Sequence, residues 1–408
     1  MGTGGDPMTE WEITAVDTLF FRGPQPFVAG ESVFVQSLFP PTPRTMQGMV
    51  RSALLEAHGV NYHAFKRGTC DVCEPEEQCA VMDVVGSPGA VGTLDLLGPY
   101  LLRDRDGRPE RLYPIPGDLR IAATGGVFRL SPGPSVLCDA GLVRLPWGGP
   151  TRDRDLDRLP VQSWITESGL ATYLAGGLPQ QDEFACDDEL LDGEPRVGLA
   201  RDPATRAARE GLLYTIEPLR PRAGVRLGLR IAAGSNAAHL LSTISGLRRI
   251  GGEGRLAELR ELTEDAGSPF LPPSDAGIEA IAATARLRMV LLQPADFEGS
   301  WLPRDFTEQT DDAGVVTWHG TIHGIGLTIF LSSGGSPSAI GGWNLAEEQP
   351  FALRPCVPAG TVYYCEVDQP FDAGDVVKAL HNAKIGVDAA FGFGQIAVGA
   401  WPEALDAQ

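Results

Sequence analysis

Lysine is nearly missing from this 408-residue chain: Lys66, Lys378 and Lys384 leave 30 of its 33 basic residues as arginine. Asp and Glu together number 53, and the formal net charge of −20 excludes a chain coated all over by nucleic acid. Histidine is scarce as well. The six histidines stand in no metalloprotease or triad pattern, no Gly-x-Ser-x-Gly elbow occurs, and no glycine-rich segment has the Gly-Lys-Ser/Thr ending of a Walker loop. These absences exclude hydrolase and triphosphatase chemistry of those kinds. No apolar run reaches the length of a membrane span, so no membrane partner is expected. The start, Met1 to Pro7, lacks the basic-then-apolar pattern of a secretory leader, and residues 1–8 read as a flexible lead-in. Seven cysteines, an odd number without such a leader, point to a reducing compartment, the cytoplasm.

What the chain has in quantity is glycine (50) and proline (33), which call for many turns and short strands. At this length about two to three domains are expected. Residues 11–16 alternate in polarity and read as a first strand. Residues 39–45 are too proline-rich for helix or central strand. Thr45 is then placed to cap a helix over 46–57, whose Met46, Met49, Val50 and Leu54 form an apolar stripe. Residues 94–102 resume strand character ahead of a turn at 104–108, and 131–200 read as insertions. Segments 212–219 and 225–231 look like an antiparallel pair, 237–247 like a helix, and 285–292, 324–331 and 362–367 like strands before a last helix at 372–382. Strands interleaved with single helices indicate two α+β units, each an antiparallel sheet backed by helices. Charge is uneven. Residues 201–230 hold seven arginines against three acids, whereas 182–194 hold seven acids and no base.

Four constellations carry chemistry. Lys384-Ile385-Gly386 leads through five residues to Gly392-Phe393-Gly394, a spacing that lets backbone approach a ligand and present amides to phosphate oxygens. The same glycines also suit a crowded helix-to-strand turn. Arg44-Thr45-Met46-Gln47-Gly48-Met49-Val50-Arg51 places arginines at a helix start, where free amides and the dipole attract phosphate; an ordinary capped helix has the same look. Arg248-Arg249-Ile250-Gly251-Gly252-Glu253-Gly254-Arg255 reads as a basic loop along a nucleic-acid backbone, or as a helix end with a solvated turn. Cys70, Cys73 and Cys79 have spacing suited to a structural zinc ion that clamps an insertion at 63–90. The fourth ligand is open among His63, His58 and a distant cysteine.

In order, Asp17-Thr18-Leu19-Phe20-Phe21-Arg22 with Pro26-Phe27, the run Pro40 to Arg51, Leu96-Leu97-Gly98-Pro99-Tyr100, Ile250 to Arg255 and Gly386 to Gly394 span nearly the whole chain. The set resembles the RAMP superfamily of CRISPR proteins, and within it the third subunits of type III-B (Cmr) effector complexes. That resemblance implies two tandem ferredoxin-like (RRM-like) domains with insertions, here 9–215 and 216–402. It implies a noncatalytic subunit that caps the 5′ repeat-derived tag of the crRNA, beside the large polymerase-like subunit and other RAMP subunits, meeting target RNA only indirectly. By position it assigns RNA contacts to Arg44, Thr45, Arg51, Arg248, Arg249, Arg255, Lys384, Gly386, Gly392, Phe393 and Gly394, with Phe20 and Phe21 as stacking candidates. Lys384 departs from the pattern by replacing its first glycine. Alternatives are a RAMP endoribonuclease cutting precursor crRNA, with His381 as its test residue, and a zinc-stabilised protein-interaction module.

Overall fold

The computed structural model describes residues 8–24, 33–73, 79–121, 126–148, 163–234, 237–262 and 270–401. Pro26 and Phe27 of the first motif fall outside them. The first sheet begins with β1 (Thr9–Ala15), where Trp11 and Ile13 fill the core. Its alternate residues, Glu10 and Glu12, are buried too, because arginines answer them: Arg111 pairs with Glu10, and Arg226 and Arg260 with Glu12.

After β1 come helices α1 (Pro43–Ala57), α2 (Tyr62–Lys66) and α3 (Ala80–Val85). Then follow β2 (Asp95–Arg105), β3 (Arg108–Pro114), β4 (Ser163–Thr166), α4 (Glu167–Leu174), β5 (Phe184–Cys186), β6 (Val225–Ala232), β7 (Gly246–Arg249) and β8 (Leu256–Leu262). All eight strands form one antiparallel sheet in the order β5-β4-β3-β2-β6-β1-β8-β7. The second sheet is built from β9 (Arg286–Leu291), β10 (Thr307–Thr310), β11 (Val316–Ile322), β12 (Ile325–Ser333), β13 (Val362–Val367) and β14 (Ile396–Ala400), in the order β10-β11-β12-β13-β9-β14. Helices α5 (Asp275–Thr284) and α6 (Ala373–Leu380) cover it through Ile281, Val376, Val377 and Leu380.

Several expectations change. The first helix starts three residues early, at Pro43. Proline is tolerated in a first turn, where its missing N–H would have no partner, and Thr42 rather than Thr45 is the cap. Segments 212–219 and 225–231 do not pair with each other. Both edges of β6 are taken, by β1 and β2, while Ala208–Glu217 joins Arg196–Arg201 and Val33–Gln36 in a separate three-stranded sheet. The helix at 237–247 shrinks to Ala238–Leu241 and a 3-10 turn, Ser242–Ile244. There the Ser242 and Thr243 hydroxyls bond to backbone carbonyls, the local competition that shortens helices. The sheets do not divide at 215/216, since β6, β7 and β8 are hydrogen-bonded into the first one. Two arginines of the basic stretch meet the acidic one, Arg220 at Glu194 and Arg222 at Asp192, while Arg226 pairs with Glu12 and Asp104.

The two sheets meet across an apolar layer containing Tyr100, Tyr113, Phe270, Val290, Tyr364 and Trp401. Inside it Asp118 and Arg288, both fully buried, lie 3.7 Å apart. Asp118 accepts from the hydroxyls of Tyr173 (2.8 Å) and Tyr364 (2.7 Å). Arg288 donates to the carbonyls of Ala400 and Tyr173 and lies 4.1 Å over the Tyr173 ring. Burial pushes the Asp118 carboxyl above its usual range. Among the described residues, no helix is long and apolar enough to cross a membrane.

Candidate nucleic-acid interface

Helix α1 sorts its side chains by period. Met46, Met49, Val50, Ala53 and Leu54 face the core, and a second stripe at i, i+3 and i+7, Arg44, Gln47 and Arg51, faces a cleft of about 400 Å³. Tyr62 and Phe65 of α2 form one wall of that cleft. The opposite wall comes from the C-terminal half: Trp343, Phe351, Arg354, Asp388 and Phe391. Residues more than 300 positions apart thus meet. Arg44 pairs with Asp388, and its guanidinium lies 4.6 Å from the Phe351 ring and 5.2 Å from the Phe391 ring. Gln47 donates to the Ala390 carbonyl (3.3 Å). Arg354 lies 3.0 Å from Asp296 and 3.6 Å from Asp388, so two arginines share the Asp388 carboxylate.

Arg51 differs from both. It donates to the Ser87 carbonyl (2.6 Å) and sits 5.6 Å from the Phe65 ring, and no ion pair reaches it among the described residues. Its Nε is buried without a hydrogen-bond partner. Burial pulls this guanidinium below the usual arginine value, yet arginine remains a cation at neutral pH. A half-buried guanidinium with no carboxylate among the described residues can take an anion from outside the chain.

The C-terminal glycine loop enters this site in another way than its spacing suggests. Its amides are not bare: those of Ile385, Val387, Phe391, Gly392 and Gly394 bond to Gly394, Asp296, Asp388, Ala389 and Pro294 carbonyls. The glycines serve chain packing. Gly394 has φ +64° and a Cβ there would stand 1.8 Å from the Ile385 oxygen, while one on Gly386, at φ +94°, would stand 2.7 Å from the Asp296 oxygen. What the loop gives the cleft is Asp388 and Phe391. Phe393 is buried, and Lys384 pairs with Asp95 outside the cleft lining.

The remaining candidates stand elsewhere. Thr45 lines a small cavity of about 30 Å³ with Phe21 and Arg22. Phe20 and Phe21 are both core residues, 3% and 4% exposed, so neither offers a ring for base stacking. The turn between β7 and β8 packs on them, with the Gly252 amide donating to the Phe20 carbonyl (2.8 Å). Arg248 donates to the carbonyls of Thr243, Ser245 and Leu247, Arg255 pairs with Asp17, and Arg249 is exposed. Cys70, Cys73 and Cys79 do converge, with all Sγ atoms within 4.8 Å of one another, a set that could hold a metal ion. His63 is exposed and does not join them. Sequence reasoning missed Trp343, Phe351 and Arg354. The one hint was Trp343, a large aromatic straight after Gly341-Gly342, which is 52% exposed.

The profile of the family described as CRISPR-associated protein (Cas_Cmr3) matches residues 11–401, and the chain belongs to that family, whose place is in type III CRISPR effector complexes. No curated protein matches it in sequence. Among solved structures it is similar to a chain of "Type III-B Cmr-beta bound to cognate target RNA and AMPPnP", at 14% identity over 87% of this chain and 86% of that one, with a TM-score of 0.43. It is also similar to a chain of the "Csm3-Csm4 subcomplex in the type III-A CRISPR-Cas interference complex", at 8% identity over 88% and 93%, with a TM-score of 0.37.

Proposed function

We propose that this chain is the noncatalytic subunit that caps the 5′ repeat-derived tag of the crRNA in a type III-B (Cmr) effector, and that the cleft along α1 takes the RNA. One observation carries the reading: Arg51, a half-buried cation with no carboxylate partner among the described residues, opens into a cleft lined by Tyr62, Phe65, Trp343, Phe351 and Phe391. Phosphate oxygens answer the charge, and bases splayed from a single strand find aromatic faces. The partners are the crRNA, the large polymerase-like subunit and other RAMP subunits.

Both sheets are read as ferredoxin-like. The central strands of the first run β8-β1-β6-β2 and those of the second β14-β9-β13-β12, the same fourth-first-third-second order in each. The second departs in drawing its covering helix α5 from before its first strand. On this reading the boundary between the units follows Leu262. The endoribonuclease alternative fares worse. Among the described residues no histidine lines the cleft, and in His381 the Val398 amide donates to Nδ1 while Nε2 is 2.6 Å from the Leu271 carbonyl. At the cysteine cluster we assign the metal as zinc, since three thiolates suit it.

The test is charge reversal. Arg44→Glu with Arg51→Glu is expected to weaken binding of tag RNA by more than about tenfold and to flatten its salt dependence, since each lost phosphate contact removes roughly 0.7 from the slope on single strands. Unchanged tag protection and unchanged assembly of the complex would place the RNA elsewhere.

A further inference from the structure

Three thiols meet at the root of the cleft wall formed by α2. Cys70 and Cys73 follow α2 and Cys79 stands at the start of α3, with the Cys70 and Cys73 sulfurs 3.6 Å apart. Cys70 and Cys79 pack against the main core, and all three are half-buried free thiols. The cysteine turn is tied to α2 as one piece. The Asn61 amide donates to Asp71 (2.9 Å), and the Thr69 hydroxyl donates to the Ala64 carbonyl (3.1 Å). Helix α3 is seated separately, by Val81, Val84 and Val85 in the core.

Two arms leave this cluster and both end in the cleft. The upstream arm is α2, whose Phe65 lies under Arg51 and whose Lys66 reaches Glu348 (2.6 Å), beside the Trp343 wall. The downstream arm runs through α3 to Ser87, Pro88 and Gly89, where the Ser87 carbonyl accepts from Arg51. Both of Arg51's contacts therefore depend on segments that diverge from the thiols.

We propose that Cys70, Cys73 and Cys79 bind one Zn²⁺, and that this ion fixes the wall around Arg51, so that the cleft's grip on RNA depends on zinc. The coupling rests on the RNA-binding reading above; the metal site does not. Sulfur ligands on a zinc tetrahedron with bonds of about 2.3 Å lie about 3.8 Å apart, which the cluster meets with little movement. Each thiol gives up its proton to become a thiolate ligand. Among the described residues, no fourth His, Cys, Asp or Glu ligand atom lies within 4.8 Å of all three sulfurs.

The experiment uses the full chain, stripped with a chelator under reducing conditions and then titrated with Zn²⁺. Bound zinc is read by elemental analysis, folding by thermal unfolding, and RNA binding with a short single strand carrying the guide's 5′ end. One zinc per chain is expected, lost in Cys70→Ser with Cys73→Ser and kept in Cys138→Ser, whose thiol is exposed elsewhere. Stripping is expected to weaken RNA binding about tenfold, the size of one lost base-stacking contact, with recovery on adding zinc. Arg51→Ala should lose RNA while keeping its zinc. A wild-type chain that takes up no zinc overturns the site. RNA held equally well with and without zinc overturns the coupling alone. Zinc that binds and raises the unfolding temperature, in a chain that binds no RNA in either state, upholds the metal and sinks the RNA reading.

Discussion

Arg288 at the joint between the sheets and Arg51 in the cleft are the same residue put to opposite uses. Arg288 is fully enclosed, with Asp118 3.7 Å away, two carbonyls accepting from it and the Tyr173 ring beneath it. Arg51 has an aromatic ring and one carbonyl, and no carboxylate among the described residues. At the joint the cation has its carboxylate within the chain, whereas in the cleft, on the reading proposed above, the phosphate of a ligand takes that place. The largest expected effect breaks the joint. Arg288→Met leaves Asp118 buried without its ion-pair partner, and stability is expected to fall by roughly 3–5 kcal/mol, read by thermal or denaturant unfolding. Arg51→Met should leave stability within about 0.5 kcal/mol, because no carboxylate among the described residues loses its partner. Equal losses at the two sites would erase the distinction.

A smaller effect of opposite sign sharpens it. Asp388 holds both Arg44 and Arg354 and so competes with any incoming phosphate. A partly exposed ion pair is worth up to about 1 kcal/mol, or roughly fivefold in binding. Asp388→Asn is therefore expected to tighten RNA binding about threefold while leaving its aromatic neighbours in place, measured by titration at fixed salt. Weaker binding in this variant would make Asp388 a scaffold for the arginines and not their competitor.

The halves of the cleft were unequally legible in the sequence. The α1 half could be read because a 3.6-residue period separates Met46, Met49 and Val50 from Arg44, Gln47 and Arg51. Local chemistry fixes such a stripe. The wall of Trp343, Phe351 and Arg354 has no period, and it meets α1 only through contacts far apart in sequence, such as the Phe351 ring on Arg44. That loop was legible as unusual backbone, but the reason for it was not. Crowding between Gly394 and Ile385, rather than a ligand, demands the glycine. Phe20 and Phe21, stacking candidates by resemblance, are buried instead, Phe20 beside Val35 and Ile216 and Phe21 in the main core. The antiparallel α+β character was readable from alternating strands. The register of β6 was not, because the sequence cannot show that Arg226 and Arg230 sit inside a sheet rather than on its wet face.

The least change is expected where the comparison turns on protons. Burial holds the Asp118 carboxyl above its ordinary value of 3.8, so the folded chain keeps that proton to higher pH than the unfolded one. Its contribution to stability is intact below 3.8 and declines as pH climbs through the folded value; Asp118→Asn should remove that slope. The cleft has no counterpart. Among the described residues its cations are arginines, which stay charged, and no histidine lines it. RNA affinity at constant ionic strength is therefore expected to be flat between about pH 6 and 8, the range in which an imidazole titrates. Binding that weakened with a midpoint near 6.5 would bring a histidine into the contact, and with it the proton-transfer chemistry that an arginine-lined cleft does not supply.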